Sequence, residues 1–347
     1  MKILLYTDVH FSQYSSIIRT RGVKYSSRLE NIIESLNWAE NLSKIKNCDA
    51  VVCLGDFFDR AELNCEEITA LQDIIWNDNI NHYFIVGNHE SNINNLIYSS
   101  TNCLNKDNFS IINNHEQYIL DESDTALCFI PYVIEDNRKP IEEYLPKQFR
   151  KKIIFSHNDI KGIRYGKFES KQGFSIDEIE ANCDLFINGH LHNGTFLNDK
   201  ETILNLGNLT GQNFSEDAFN YPHFTCVLDT NTLELEFYEN PFAYNFYRIE
   251  IDNHTDIKKL YTLKNNSVVS LHCANSLVET VKTVISDLKN VNHYRIISHA
   301  DASNIGETSE LATLNSSDYL NQFYNFITDK LGSTELIMEE LSQIIGG

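Results

Sequence analysis

Five short apolar runs, at residues 3–7, 50–54, 83–86, 153–156 and 184–187, each lead straight into side chains able to hold a hard or borderline cation. The groups that follow them are Asp8-Val9-His10, Gly55-Asp56-Phe57-Phe58-Asp59, Gly87-Asn88-His89-Glu90, Ser156-His157 and Gly189-His190-Leu191-His192. The runs are rich in β-branched and aromatic residues and read as buried strands. In an open α/β sheet the loops at the carboxyl ends of the strands converge on one crevice. Side chains far apart in the sequence are therefore expected to meet, and one site is implied rather than five.

The intervals between the runs support this fold. Leu29, Ile32, Ile33, Leu36 and Ala39 recur at a helical spacing that predicts a crossover helix over 29–42. Ile68, Leu71, Ile74 and Ile75 predict a second helix between the next two runs. Further strands are expected at 202–206, 225–228 and 233–238, closing an α/β layered domain over residues 1–240. The pattern breaks around Pro241. It resumes as a strand at 268–273, a helix at 276–288 with Leu277, Val281, Val284 and Leu288 on one face, and a strand at 293–298. This predicts a small β-α-β appendage, residues 241–303. A polar linker follows from about 300 to 315, and residues 304–347 are expected to end in two amphipathic helices. The first carries Leu320, Phe323, Tyr324, Ile327 and Leu331 and stops at Gly332; the second, capped by Ser333, carries Ile337, Leu341, Ile344 and Ile345.

Composition adds exclusions. A chain of 347 residues with 42% hydrophobic and 22% charged residues is ordinary globular material, not collagen-like, disordered or coiled-coil only. No run approaches the length of a membrane span, and the apolar stretch before Asp8 is too short for a signal peptide, so a cytoplasmic protein with no membrane partner is expected. The eight cysteines are scattered without a Cys-x-x-Cys pair, which predicts buried, reduced thiols rather than a zinc cage or disulfide framework.

The residue types at the strand ends select the chemistry. Carboxylates, an amide oxygen and imidazoles without thiolates suit manganese, iron, zinc or magnesium. The seven candidate ligands, Asp8, His10, Asp56, Asn88, His157, His190 and His192, overfill one coordination shell. Two divalent ions are therefore expected, with Asp56 able to bridge them. Two cations about 3.5–4 Å apart clamp a phosphoryl group for in-line displacement, so the expected reaction is hydrolysis of a phosphate ester. His89, beside Asn88 on a tight turn, is the expected general acid. Asp59 is expected to hydrogen-bond His89 and favour its protonated form.

With these motifs in order, the chain resembles the calcineurin-like metallophosphoesterase superfamily, and within it the SbcD-type double-strand-break repair nucleases, particularly the virus-encoded members. The segments Gly55 to Asp59, Ile130-Pro131-Tyr132 and Leu206-Gly207-Asn208-Leu209-Thr210 extend the likeness. The resemblance implies a layered metallophosphoesterase sandwich with a capping domain and a C-terminal helical tail. It implies one metal on Asp8, His10, Asp56 and His192, a second on Asp56, Asn88, His157 and His190, and His89 as a catalytic residue, with manganese as the usual ion. It further implies a DNA repair and recombination nuclease, with exonuclease activity on duplex ends and endonuclease activity on single-stranded or hairpin DNA. Such a subunit commonly dimerises and works with an SMC-like ATPase held by the C-terminal helices, here through Leu320, Phe323, Tyr324, Ile327 and Leu341. Ser12 and Ser156 stand where the family often has glycine. The alternatives are a metal-dependent protein phosphatase of the same superfamily, for which Asp59-Arg60 and Gly87-Asn88-His89-Glu90 speak but Ala61 and Val86 do not, and a non-catalytic scaffold for the ATPase.

A net charge of −21, from 28 Lys+Arg against 49 Asp+Glu, argues against coating nucleic acid by bulk charge. Phosphate contacts are expected instead from two local clusters: Arg19, Arg21, Lys24 and Arg28 after the first motif, and Lys161, Arg164, Lys167 and Lys171 after His157. Tyr25 and Tyr165, set among these charges, are expected to stack on an unpaired base.

Overall fold

The computed structural model describes residues 1–300 apart from 16–17, 19, 92–94, 121–123 and 166–167. Along the chain come β1 (Lys2–Tyr6), α1 (Ser27–Ile45), β2 (Ala50–Cys53), α2 (Cys65–Ala70), β3 (Asn81–Ile85), β4 (Phe109–Ile112), β5 (Glu116–Leu120), β6 (Thr125–Ile130) and β7 (Lys151–Ser156). Four short strands follow, β8 (Ile160–Lys161), β9 (Arg164–Tyr165), β10 (Phe168–Glu169) and β11 (Phe174–Ser175), and then α3 (Ile176–Asn182). The sandwich ends with β12 (Leu185–Asn188), β13 (Thr195–Phe196), β14 (Ile203–Asn205), β15 (Phe224–Asp229) and β16 (Leu235–Glu239). A final group holds β17 (Asn245–Ile251), β18 (Ser267–Ala274), α4 (Val278–Asp287) and β19 (Val291–His299).

Period-two alternation within the apolar runs builds two sheets face to face, each of six strands, in the orders β16-β15-β1-β2-β3-β4 and β13-β14-β12-β7-β6-β5. Ile3, Leu5, Val52 and Ile85 of the first sheet meet Phe129, Ile153, Phe155 and Ile187 of the second in one core. The intervening Leu4, Tyr6, Val51 and Cys53 turn outward, under Leu29, Ile32 and Leu36 of α1. On the other outer face Ile154 and Phe186 pack with Ile179 of α3. Because both faces of the central strands are covered, these strands read as unbroken apolar runs. This is the α/β sandwich expected, with ligand-bearing strands supplied by both sheets.

Several elements depart from expectation. β4, β5 and β6 fall in a stretch with no strand expected, although every residue of β6 is buried; no ligand-type residue follows β6. α2 is only six residues long and passes into a 3₁₀ turn at Leu71–Asp73. Beyond it Ile75 is exposed, its N–H taken by Asn37 Oδ1 at 2.7 Å, a bond that replaces helix continuation. β17 lies where the pattern was expected to break; its burial alternates at Arg248 and Glu250, as in a half-covered strand.

β17, β18 and β19 form a three-stranded parallel sheet on which α4 packs Val281 and Ile285 against Ile249 and Leu271. The linker and helices expected after residue 300 lie outside the described residues. Among the described residues, no helix is long and apolar enough to cross a membrane. All eight cysteines are free: Cys48, Cys53, Cys128, Cys226 and Cys273 are buried and Cys183 is half-buried, but Cys65 and Cys103 are exposed, which corrects the expectation of wholly buried thiols. Both exposed thiols sit on short surface helical turns rather than in the sheets.

Candidate active site

The strand-end loops are laced together by the backbone. Asp8 N–H donates to Gly55 O at 3.1 Å, His10 N–H to Asp56 O at 3.0 Å and Gly189 N–H to Ser156 O at 2.9 Å, which fixes neighbouring loops within each sheet, and His190 N–H reaches Asp8 Oδ2 across the two at 3.0 Å. Closeness is purchased with backbone strain: Asp8, His10, Asp56 and His190 all have positive φ, between 47° and 78°, a region non-glycine residues rarely occupy. At Gly189 a Cβ would stand 2.2 Å from Thr7 Oγ1 and 2.8 Å from Leu54 O, so only glycine lets the histidine turn approach β1 and β2 this closely.

Asp8, His10 and His192 form one cluster. Asp8 Oδ2 accepts from Thr7 Oγ1 (2.6 Å) and from His190 N–H (3.0 Å), whereas its buried Oδ1 has no hydrogen-bond partner among the described residues. That oxygen lies 3.9 Å from both His10 Nε2 and His192 Nε2, and the two nitrogens are 3.1 Å apart. His192 Nδ1 faces Glu216 Oε1 at 3.1 Å and His10 Nδ1 faces Asp59 Oδ1 at 3.2 Å. With protons on Nδ1, both Nε2 atoms present lone pairs to each other and to a bare carboxylate oxygen. A cation satisfies all three, and this donor set fits one.

Asp56, His157 and His190 form a second cluster. His157 Nδ1 donates to Leu54 O at 2.8 Å, which leaves Nε2 facing Asp56 Oδ2 at 3.1 Å and Asn88 Oδ1 at 3.2 Å. His190 places Nε2 3.3 Å from Asp159 Oδ1 and Nδ1 3.0 Å from Asn88 Oδ1. Burial opposes charge on His157, but the Asp56 carboxylate dominates and the pKa is pushed up to about 9. Burial likewise opposes charge on Asp56, yet His157, His10 and His89 hold its carboxyl far below the usual range. The pocket demands positive charge, which a proton or a metal supplies. All seven predicted ligands thus enter the two clusters, Asp56 lying with the second and Asn88 contributing its amide oxygen there.

His89 lies outside both clusters, its ring centroid 4.9 Å from that of His10, with the side chain 43% exposed. Its partner differs from the one expected. Nδ1 is 3.1 Å from the Asp59 backbone oxygen, whereas the Asp59 carboxylate is 4.0 Å away and turned to His10 and to Gln212 Nε2 (2.8 Å). Asp59 therefore orients His10 by its side chain and His89 by its main chain.

Three residues of the site were not anticipated, and a fourth, Glu90 of the third motif, was given no role of its own. Glu216 is buried and accepts from Asn208 Nδ2 (3.0 Å) and Gln212 N–H (2.9 Å) as well as facing His192; burial opposes its charge, but His192 lowers its pKa. In the sequence it is the first charged residue after Glu201, which is the signal that marked it. Asp159 steadies His190, and Gln212 ties the Glu216 segment to Asp59. Glu90 accepts from Phe58 N–H (3.0 Å) and Gly87 N–H (2.8 Å), joining the second and third motifs; burial, then Asp56, pushes its pKa up to about 8.

The first basic cluster is consumed internally. Arg21 pairs with Glu66 at 2.8 Å, Lys24 with Asp73 at 2.7 Å, and Arg28 is buried and donates to Gly211 O at 2.6 Å. Tyr25 is buried as well, so it offers no face to a base; Arg19 lies outside the described residues. In the second cluster Lys161, Arg164 and Lys171 are exposed, Arg164 standing 3.3 Å from Glu169, while Lys167 lies outside the described residues.

Residues 1–194 match the family described as calcineurin-like phosphoesterase. Among solved structures, a dimetal phosphatase from Danio rerio is 13% identical, with a TM-score of 0.40, covering 69% of this chain and 99% of that one. A Thermus thermophilus protein is also 13% identical with a TM-score of 0.40, covering 69% and 98%. Vps29 complexed with Zn²⁺ from Entamoeba histolytica is 14% identical with a TM-score of 0.30, covering 69% and 91%. No curated protein matches. The family match spans more than half of the chain and contains every residue of the two cation-fitting clusters, so the chain belongs to the calcineurin-like phosphoesterases, hydrolases with a dimetal centre.

Proposed function

We propose that the chain is a two-metal-dependent DNA phosphodiesterase, the nuclease subunit of an SbcC/SbcD-like repair and recombination complex. One observation carries the choice within the family. The segment Leu206–Thr210 after the paired histidines, which resembles SbcD-type sequence, supplies Asn208, whose amide donates at 3.0 Å to the buried Glu216 that faces His192. The subsites would be filled by manganese, as in the resembling nucleases. Bound divalent ions supply Lewis acidity and a nucleophile at neutral pH.

The chain's own residues do the rest. Asn88 and His157 hold the second subsite rigid through Leu54 O. His89, hydrogen-bonded at Nδ1 and exposed, presents Nε2 to the leaving oxygen of the ester and holds the proton that oxygen needs. Exposed Lys161, Arg164 and Lys171 lie after His157 and make phosphate contacts without reading bases, so binding weakens as salt rises. In this reading residues 241–303 form the capping domain, the helices within 304–347 bind the SMC-like ATPase, and the subunit is a cytoplasmic homodimer.

The second reading, a metal-dependent protein phosphatase, is favoured by the internal pairing of Arg21, Lys24 and Arg28, which leaves little basic surface for a DNA backbone. One experiment separates the two: labelled duplex and hairpin DNA incubated with manganese and wild type, His89→Ala or Asp56→Ala. His89→Ala is expected to retain metal and lose cleavage by about 10²–10⁴-fold, the usual worth of a general acid. Asp56→Ala is expected to lose both. Equal cleavage by all three proteins overturns the mechanism, and hydrolysis of a phosphopeptide without DNA cleavage selects the phosphatase.

A further inference from the structure

Beside the second cluster lies a cavity of about 350 Å³ that none of the ligand residues lines. Its inner wall is the chain leaving β6. Tyr132 N–H donates to Val86 O at 3.0 Å, next to the Gly-Asn-His turn, and the Tyr132 ring centroid is 6.0 Å from that of His190. The wall is held in place: buried Asn158, the residue after His157, donates to Pro131 O at 2.9 Å and accepts from Val133 N–H at 2.9 Å. The cavity is also lined by Asn113, Asn114 and Asn137 and by His115, whose ring is edge-on to Tyr144 at 5.7 Å. Lys139 lines the rim but stands 3.7 Å from Glu143, which offsets its charge.

We infer that this cavity receives an unpaired nucleobase of the strand whose phosphodiester lies at the dimetal subsites. The volume is at the lower end of the range for small-ligand pockets, as a base with its sugar requires. A base edge alternates donors and acceptors, and asparagine amides match both. Tyr132 and His115 supply the aromatic faces on which bases stack whatever their sequence. A phosphotyrosine ring of comparable size would leave the three amides unused. A base paired in a duplex presents neither its face nor its pairing edge, so the cavity selects frayed, hairpin or single-stranded DNA. The inference rests on the nuclease reading and adds to it the part of the substrate that is recognised.

The test compares wild type with the double variant Asn113→Leu/Asn137→Leu, both surface-side residues away from the proposed metal ligands. Three substrates are used with manganese: bis(p-nitrophenyl) phosphate, a single-stranded oligonucleotide, and the same oligonucleotide with tetrahydrofuran abasic units. Binding of the two oligonucleotides is also measured by fluorescence anisotropy in EDTA. Wild type is expected to prefer the base-bearing strand by about tenfold in kcat/KM and in binding. The variant is expected to lose that preference while hydrolysing bis(p-nitrophenyl) phosphate at the wild-type rate. Equal handling of the two oligonucleotides by wild type, or an unchanged preference in the variant, overturns the pocket and leaves the nuclease reading standing. Hydrolysis of bis(p-nitrophenyl) phosphate with no cleavage of either oligonucleotide overturns the nuclease reading, and the pocket assignment with it.

Discussion

Four imidazoles of the site each face a fixed oxygen with one nitrogen: His157 and His192 hydrogen-bond to Leu54 O and Glu216, while His10 and His190 stand 3.2 and 3.3 Å from the Asp59 and Asp159 carboxylates. Such partners fix the tautomer and ring orientation of a ligand and raise its basicity. Replacing Glu216 by Gln keeps the shape but removes the charge that holds the Nδ1 proton on His192. Affinity at the Asp8–His10–His192 subsite is expected to fall about 10–100-fold, with the other subsite unaffected, as read by calorimetric titration with manganese. The sign of the pH dependence follows from His157. Its pKa near 9 means that in the metal-free protein a proton occupies the nitrogen a metal would take. Cation binding must expel that proton, so affinity at the second subsite is expected to rise about tenfold per pH unit from pH 7 and level off above pH 9. A flat affinity profile over that interval would contradict the assignment. The candidate ligands were legible because Asp, Asn and His recur at strand ends. Their carboxylate partners were not: Glu216 and Asp159 are single acids whose meaning depends on which imidazole folding places opposite them.

Among the elements, the central strands were legible because burial on both faces writes them as apolar runs, and α1 because its buried stripe keeps helical spacing. β6 escaped although it is fully buried, since nothing chemical follows it to single it out, and α2 was over-extended because Ile74 and Ile75 kept the period after the backbone had left it. What no pattern of apolar residues records is how near the loops approach. Gly189→Ala, a one-methyl change, forces Thr7 Oγ1 and the Leu54 carbonyl away from the histidine turn. It is expected to cost about 1–3 kcal/mol of stability in urea unfolding, as overpacking does, and to weaken metal binding at both subsites. Stability and affinity within error of wild type would show that the loops yield more easily than their lacing suggests.

On the scale of the molecule, surface charge was the least legible property, because Arg21, Lys24 and Arg28 read as one basic patch only while Glu66, Asp73 and Gly211 are ignored. Thiol reactivity is likewise set by placement. Of the cysteines, Cys65 and Cys103 are expected to react with a chromogenic disulfide in the folded protein, Cys183 more slowly, and the five buried ones only in denaturant. β1 pairs on one side with β2 and on the other, antiparallel, with β15, from Lys2 opposite Asp229 to Leu5 opposite Cys226. On a ribosome, then, β1 must wait for more than two hundred successors before it has both neighbours. Until that moment β1 is a bare, sticky margin of the kind that chaperones shield.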